Sequence, residues 1–341
     1  MARNPRIRES METYIAPVLA GLLVLVTLVG LIAPAIKSPT PHDIPVGLAG
    51  PPDATQQIAG TFATGAPGAF IFTTYPSEDD ARAALDSRAV DGVLVIGPAG
   101  PRLIIAAAEG DSVTGVITGA FTNAFRSQGQ TLTVETVHPF ASGDSHGLIL
   151  FFVVLAVIVS TLIAQAIAGL RRGTSFAGRV LVVILYAAFA APVSMGLATW
   201  IGGDYGSGFW TATALVGMGS VAIGVVVAGS AALLGRVGVA LAALGAVLLD
   251  LVCSGGPIGS QLLPDAYRWL APGMPAGQLY SAMRGALYFG GAGIADQVLV
   301  LSVWVLGGLL LLALGTIVSR QSVTRERARS AQTLTPHGTN G

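Results

Sequence analysis

A P-loop that hydrolyses a nucleotide ends in Gly-Lys-Ser or Gly-Lys-Thr, because the lysine ammonium must reach the phosphates. This chain of 341 residues carries 17 arginines but a single lysine, Lys37. Ser38 follows it, yet Leu31-Ile32-Ala33-Pro34-Ala35-Ile36 precedes it and supplies no glycine loop. A built-in P-loop motor is therefore excluded. The one cysteine, Cys253, rules out an internal disulfide, a thiolate metal cluster and a C-x-x-C redox pair. His42, His138, His146 and His337 are scattered, without H-E-x-x-H or another metal-ligand spacing. No G-x-S-x-G nucleophile elbow occurs. Ser77 beside Asp79 and Asp80 has the residue types of a hydroxyl nucleophile among carboxylates, but Ser77-Glu78-Asp79-Asp80 reads better as a helix cap. No catalytic, metal or cofactor constellation emerges, and the chain reads as a protein other than an enzyme.

One ionisable residue lies within a long apolar run, Asp250. An intramembrane carboxylate is a candidate proton relay. Three residues from the end of its run, it is better read as an interfacial cap, or as a partner for Arg268 or Arg284, with its head reaching the interface. Gln165 and Ser160 read as hydrogen-bonders between helices.

The composition explains why so little polar chemistry is on offer. Hydrophobic residues make up 52% of the chain and charged residues 11%, where a soluble domain carries about 25% charged. With a mean hydropathy of +0.71, most of the chain belongs in lipid. Six apolar runs, 15–36, 147–170, 180–201, 209–234, 237–253 and 298–319, are each read as a transmembrane helix, the fifth only just long enough. The first resembles a secretory signal with an Ala33-Pro34-Ala35 cleavage site. Its 22 residues exceed a signal's apolar core of about 7–15, so an uncleaved anchor is expected.

Charge fixes the expected orientation. With the N-terminus in the cytoplasm, that side holds 11 basic and three acidic residues, and the outside, with Asp250, holds seven basic and 15 acidic. This follows the positive-inside rule, with both termini cytoplasmic. The zero net charge is thus a division across a membrane.

The segment 37–146 has the composition of a soluble α/β domain. Strands are expected at 44–49, 69–74, 90–96, 102–107 and 132–137. One helix opens at the Ser77 cap and runs through Arg88, and another opens near Ser112 with Val113, Val116, Ile117, Ala120, Phe121 and Ala124 on one face. The connection 254–297 is too rich in Gly and Pro to span, yet carries Tyr267, Trp269, Tyr280 and Tyr288. From Pro275, an apolar stripe of Ala276, Leu279, Tyr280, Met283 and Leu287 predicts a helix lying in or dipping into the outer leaflet, with Gln278, Ser281 and Arg284 turned away. Small residues (Gly217, Gly219, Ser220, Gly224, Ala228, Gly229, Gly238, Ala242, Ala246) suit close helix packing, within the chain or between subunits. The expected fold is an α-helical polytopic membrane protein with six transmembrane helices. Its parts are a first unit at 1–36, an extracytoplasmic α/β domain at 37–146 inserted between the first and second helices, spans two to five at 147–253, a re-entrant or interfacial hairpin at 254–297, a last span at 298–319 and a basic cytoplasmic tail at 320–341.

This layout resembles the permease subunits of type-2 ABC exporters, in the branch of Pip/YhgE-like bacterial membrane proteins. The likeness rests on Ser254-Gly255-Gly256-Pro257-Ile258, Leu263-Pro264, Trp269-Leu270-Ala271-Pro272-Gly273 and the run from Ala282-Met283-Arg284 to Leu287-Tyr288-Phe289-Gly290-Gly291. These resemble the branch's Gly-Pro turn, Ala-Pro-Gly stretch and Leu-Arg…Tyr-Phe signature. The resemblance implies a plasma-membrane subunit that forms a path for an amphiphilic or polymeric substrate, works as a homodimer or heterodimer and is driven by a separate cytoplasmic ATPase. It implies no nucleic-acid partner. It places a coupling loop at Arg171, Arg172, Thr174, Ser175, Phe176 and Arg179, and an external hairpin on Pro257, Pro264, Trp269, Pro272, Arg284, Tyr288 and Phe289. The competing readings are a surface protein, phage-receptor-like or an envelope-assembly factor, whose external domain binds a partner, and a proton-coupled carrier built on Asp250.

Overall fold

The computed structural model describes residues 5–37, 39–169 and 175–333. The chain opens with helix α1 (Pro5–Lys37) and then forms β1 (Ile44–Ala49), α2 (Pro52–Gly65), β2 (Phe70–Tyr75), α3 (Glu78–Asp86), β3 (Gly92–Gly97), β4 (Gly100–Ala106), α4 (Asp111–Ser127) and β5 (Thr133–Val137). The strands make one sheet in the order β2-β1-β3-β4-β5, parallel throughout except for the β3–β4 hairpin. All five expected strands form within two residues of their expected ends.

Both faces of this sheet are covered, which its sequence requires: β1 reads Ile-Pro-Val-Gly-Leu-Ala without a polar residue. On one face Ile44, Val46, Leu48, Leu94 and Leu103 pack against Val113, Ile117 and Phe121 of α4 and Ile58 and Phe62 of α2. On the other, Val93, Ile104 and Ala106 pack against Ala81, Ala84 and Leu85 of α3. Burial of each large side chain here stabilises the domain by about 1.5–3 kcal/mol. The Ser77 cap forms as read: its Oγ accepts from the Asp80 backbone N–H at 3.1 Å. Helix α2 has no such opening signature, only Pro51-Pro52 before a weakly apolar run, and the sequence reading had no helix there.

The helical part follows with α5 (Leu148–Gly169), α6 (Phe176–Gly202), α7 (Phe209–Leu234), α8 (Arg236–Leu244), a π-helical turn (Gly245–Asp250), α9 (Leu251–Cys253), α10 (Asp265–Leu270), α11 (Pro275–Tyr288) and α12 (Ala295–Thr333). Four stretches are long and apolar enough to cross a membrane: Leu148–Gly169, Phe176–Gly202, Gly206–Leu234 and Ala295–Ser319. These correspond to the second, third, fourth and sixth expected spans. In α1 the apolar stretch among the described residues is Gly21–Ala35. The fifth expected span forms one continuous helical path, α8, the π turn and α9, with the π turn in its second half. Gly235, at φ 60, reverses the chain after α7, and Gly238 then passes so close that a Cβ would sit 1.9 Å from the Ser230 carbonyl oxygen.

Helix α7 is the hub. A Cβ on Gly219 would meet Leu279 at 2.6 Å, one on Gly224 would meet Val183 at 3.0 Å and one on Gly229 would meet the Leu312 nitrogen at 2.8 Å. At these positions the small residues serve packing within the chain. Lipid is as apolar as these side chains, so close approach rather than water exclusion holds the bundle.

The apolar stripe of α11 packs on the bundle: Ala276, Leu279, Tyr280, Met283 and Ala286 belong to the bundle core with Leu150, Met195, Leu215 and Leu301. The apolar face is as read, but protein covers it.

Candidate functional site

The connection from Ser254 to Ile294 is clamped between the α/β domain and the bundle. Leu262 enters the core beneath α4, and Phe289 enters the core on the α3 face. Between these anchors lies a polar cavity of about 610 Å3. Asp91, Glu109 and Arg88 line it from the domain, and Gln261, Ser281 and Arg284 line it from the connection.

Arg88 is its centre. The guanidinium grips Glu109 with two bonds, Nε to Oε1 at 2.6 Å and Nη2 to Oε2 at 3.2 Å, a fork geometry that lysine cannot reproduce. Its Nη1 donates to the Ser281 carbonyl at 3.0 Å and Nη2 to the Ser281 Oγ at 3.2 Å. The same group lies 5.1 Å from the Phe289 ring centre. From α11, Arg284 Nη1 donates to the backbone carbonyls of Glu109 and Ala108, while its guanidinium stacks 4.8 Å from the Tyr280 ring centre. The Arg88 and Glu109 side chains are only 9% and 7% exposed, so this is a buried ion pair.

Two carboxyls in one cavity are driven apart. Burial opposes the charge of Glu109, but Arg284 and Arg88 together outweigh it and hold its carboxyl below its ordinary value. For Asp91, burial and then the Glu109 charge prevail over the same arginines and raise it to about 7. Asp91 accepts one bond, from Gln261 Nε2 at 3.1 Å.

The contacts around the cavity share a backbone feature. Asp43, Arg88 and His138 are the non-glycine residues with left-handed φ among those described, at 53°, 62° and 46°. Each bonds the Ser254–Ile294 connection. Asp43 pairs with Arg268 at 2.5 Å. His138 Nδ1 donates to the Tyr288 carbonyl at 2.8 Å, and its Nε2 lies 2.7 Å from Asp86 Oδ1. The backbone cost of such conformations is tolerated where surrounding contacts enforce them.

Of the expected hairpin residues, Arg284 and Pro272 line the cavity. Phe289 is buried against Arg88 and His138, with its ring 4.6 Å from the imidazole. Tyr288 packs edge-on against Phe140 and Tyr205. Pro264 begins α10 and Pro257 lies in the turn after α9. Trp269 projects outward, 82% exposed. Sequence spacing does not mark Arg88, Glu109 and Asp91 as a group: Arg88 and Asp91 share the α3–β3 loop, and Glu109, in the turn after β4, joins them only through the fold.

Asp250 is 3% exposed and acts as a cap, not as a partner of Arg268 or Arg284 among the described residues. Its Oδ1 accepts from the Ala276 N–H at 2.8 Å, capping the start of α11, and Oδ2 has no partner among the described residues. Arg268 and Arg284 have the carboxylates and carbonyls already named. The carboxylate borders an apolar cavity of about 330 Å3 between α7, α8 and α12, beside Met274 and Trp304.

Of the expected coupling residues, Arg171, Arg172 and Thr174 lie outside the described residues. Ser175 caps α6, accepting from Gly178 N–H at 3.1 Å, and Phe176 is 37% exposed. Ser160 bonds its own helix at Ala156, and beside it Thr161 of α5 bonds Ser220 of α7 at 3.1 Å. Comparison with protein-family models, curated proteins and solved structures finds no match to this chain.

Proposed function

We propose that the chain is the membrane permease subunit of an ABC-type exporter, forming a path for an amphiphilic or polymeric substrate and driven by a separate cytoplasmic ATPase. In this reading α1 and the α–π–α helix from α8 to α9 complete six spans, the termini are cytoplasmic and the α/β domain faces outward in a bacterial plasma membrane. The protein works as a dimer, and residues 171–179 receive the motor.

The observation that supports the reading best is the join between domain and bundle. The α/β domain is fixed by the buried Arg88–Glu109 pair to α11, and α11 is packed against the hub helix α7. A soluble domain tied this tightly to the centre of a helical bundle suits a protein in which both move together. The absence of a P-loop lysine agrees, because the energy must then come from another chain.

Affinity capture of the full-length chain from membranes of its own host tests this. The expected result is co-purification of a protein with a complete P-loop motif, whose ATP turnover in proteoliposomes rises with the permease and falls when residues 171–179 are replaced. Capture without any such ATPase would overturn the reading and favour a surface protein that binds partners through its external domain.

A further inference from the structure

At the end of the bundle where α5 finishes and α6 begins, a cavity of about 280 Å3 opens between α5, α6 and α7. Its walls are almost wholly apolar, including Ala164, Ile167, Ala168, Val182 and Ala228. Two polar side chains break that surface, Gln165 and Arg179. Gln165 is 2% exposed and its Nε2 has no partner among the described residues. The Nη1 of Arg179 is buried and equally without a partner among them.

Buried donors are almost always satisfied, because a donor taken from water without an acceptor forfeits its full solvation. Two such donors in one cavity, one of them a permanent cation, specify the missing group. It carries acceptor oxygens and negative charge. Among the described residues no carboxylate lines the cavity.

The setting narrows the source. Ile167 is 60% exposed and Val182 39%, and both line the cavity, so it opens through the apolar flank of the bundle. A ligand entering by that flank arrives from the membrane. Arg236, at the start of α8, follows directly on the far end of α7, so this end of the bundle is basic. Basic pockets between helices at such an end suit anionic lipid headgroups.

We propose that this cavity binds the phosphate of an anionic phospholipid, with Arg179 Nη1 and Gln165 Nε2 as its donors and the apolar walls taking the glycerol backbone and upper acyl chain. Arg179 thereby gains a lipid ligand at the edge of the loop proposed to receive the motor. The inference uses only the placement of α5, α6 and α7 in a membrane and stands whether or not the chain is a permease.

The test uses the full chain, extracted in mild detergent and offered equimolar phosphatidylglycerol and phosphatidylcholine, with retained lipid counted by native mass spectrometry. Phosphatidylglycerol should be retained in preference and should raise the melting temperature, whereas inorganic phosphate alone should do neither. Arg179→Gln should lower phosphatidylglycerol retention about tenfold, the scale of one lost charge-assisted hydrogen bond. Gln165→Leu should lower it by a smaller factor, and Arg179→Lys, which keeps the charge and guards against a folding artefact, should recover part of the loss. Equal retention of both lipids, or unchanged retention in Arg179→Gln and Gln165→Leu, would overturn the proposal. A melting shift with inorganic phosphate as large as with phosphatidylglycerol would also overturn it, because the site would then serve a soluble anion.

Discussion

Arg88 Nη1 lies 3.0 Å from the carbonyl oxygen of Ser281, 193 residues further along the chain. One side chain thereby joins the end of α3 in the soluble domain to the middle of α11 in the bundle. It does so while neutralising Glu109, so the joint and the buried charge pair are the same object.

Removing one partner of a buried pair leaves the other charged and uncompensated, at a cost of about 3–5 kcal/mol. Arg88→Ala should therefore lower the melting temperature sharply and make the links 39–43 and 138–147 cleavable by protease. Arg88→Lys should fall between the two, because an ammonium keeps the charge but not the fork. Equal melting temperatures for Arg88→Ala and wild type would refute the role of this joint.

Asp91 gives stability an unusual pH dependence. Its carboxyl titrates near 7 in the fold and near 4 when unfolded, so between these values the folded state binds the extra proton. Its contribution is complete below about pH 4 and is lost as pH rises through about 7. Asp91→Asn, which still accepts from Gln261, should remove that decline and be more stable than wild type at pH 8, by on the order of a few kcal/mol. Glu109 has the opposite sign, contributing above its unfolded value and losing the contribution as pH falls below it. Parallel melting curves for wild type and Asp91→Asn from pH 5 to 8 would contradict the assignment.

At Asp250 the two obvious substitutions should separate. Asparagine keeps an acceptor for the Ala276 N–H and sheds a buried charge, so Asp250→Asn should be neutral or stabilising. Asp250→Ala loses the cap and should cost about 0.5–2 kcal/mol. Transport that survives Asp250→Asn unchanged would remove the proton-coupled carrier from consideration.

Two adjacent glycines in α12 offer an internal control. A Cβ on Gly308 would lie 2.4 Å from Val225 Cγ2 and 2.9 Å from the Val226 nitrogen, whereas one on Gly307 meets nothing within 4 Å. Gly308→Ala should cost about 1–3 kcal/mol by forcing α12 from α7. Gly307→Ala should be neutral or stabilise by up to about 1 kcal/mol through helix propensity. Thermal melts of the two variants side by side measure the contrast.

The sheet was legible because alternation and apolar runs such as Gly-Val-Leu-Val-Ile-Gly in β3 have no other comfortable home. The α11 stripe was equally legible as a pattern, but periodicity states which face is apolar and not whether lipid or protein meets it. The fifth run hid its π turn, since the pattern of Gly, Ala, Leu and Val through Gly235–Cys253 fits a straight helix as well as an α–π–α path. Asp250 was noticed as a charge out of place, yet its partner is a backbone N–H, which no sequence pattern advertises. The cavity was the least legible part. Glu109 joins Arg88 and Asp91 only after the sheet pairs, and Gln261 and Ser281 only after the connection docks on it.

The α/β domain is joined to the bundle by two strands of chain, one on each side of the sheet segment. Two such links alone would leave it a pendulum, free to pivot and roll. Leu262 and Phe289 seat the connection in both of its cores, and Arg88 adds a third fixed point on α11. Contacts at three places resist pivot and roll where two links alone would not. A torque applied to the domain is therefore delivered through α11 to the middle of the bundle rather than to its ends, and stiffness at that joint, more than length of the links, sets how far the two halves can move apart.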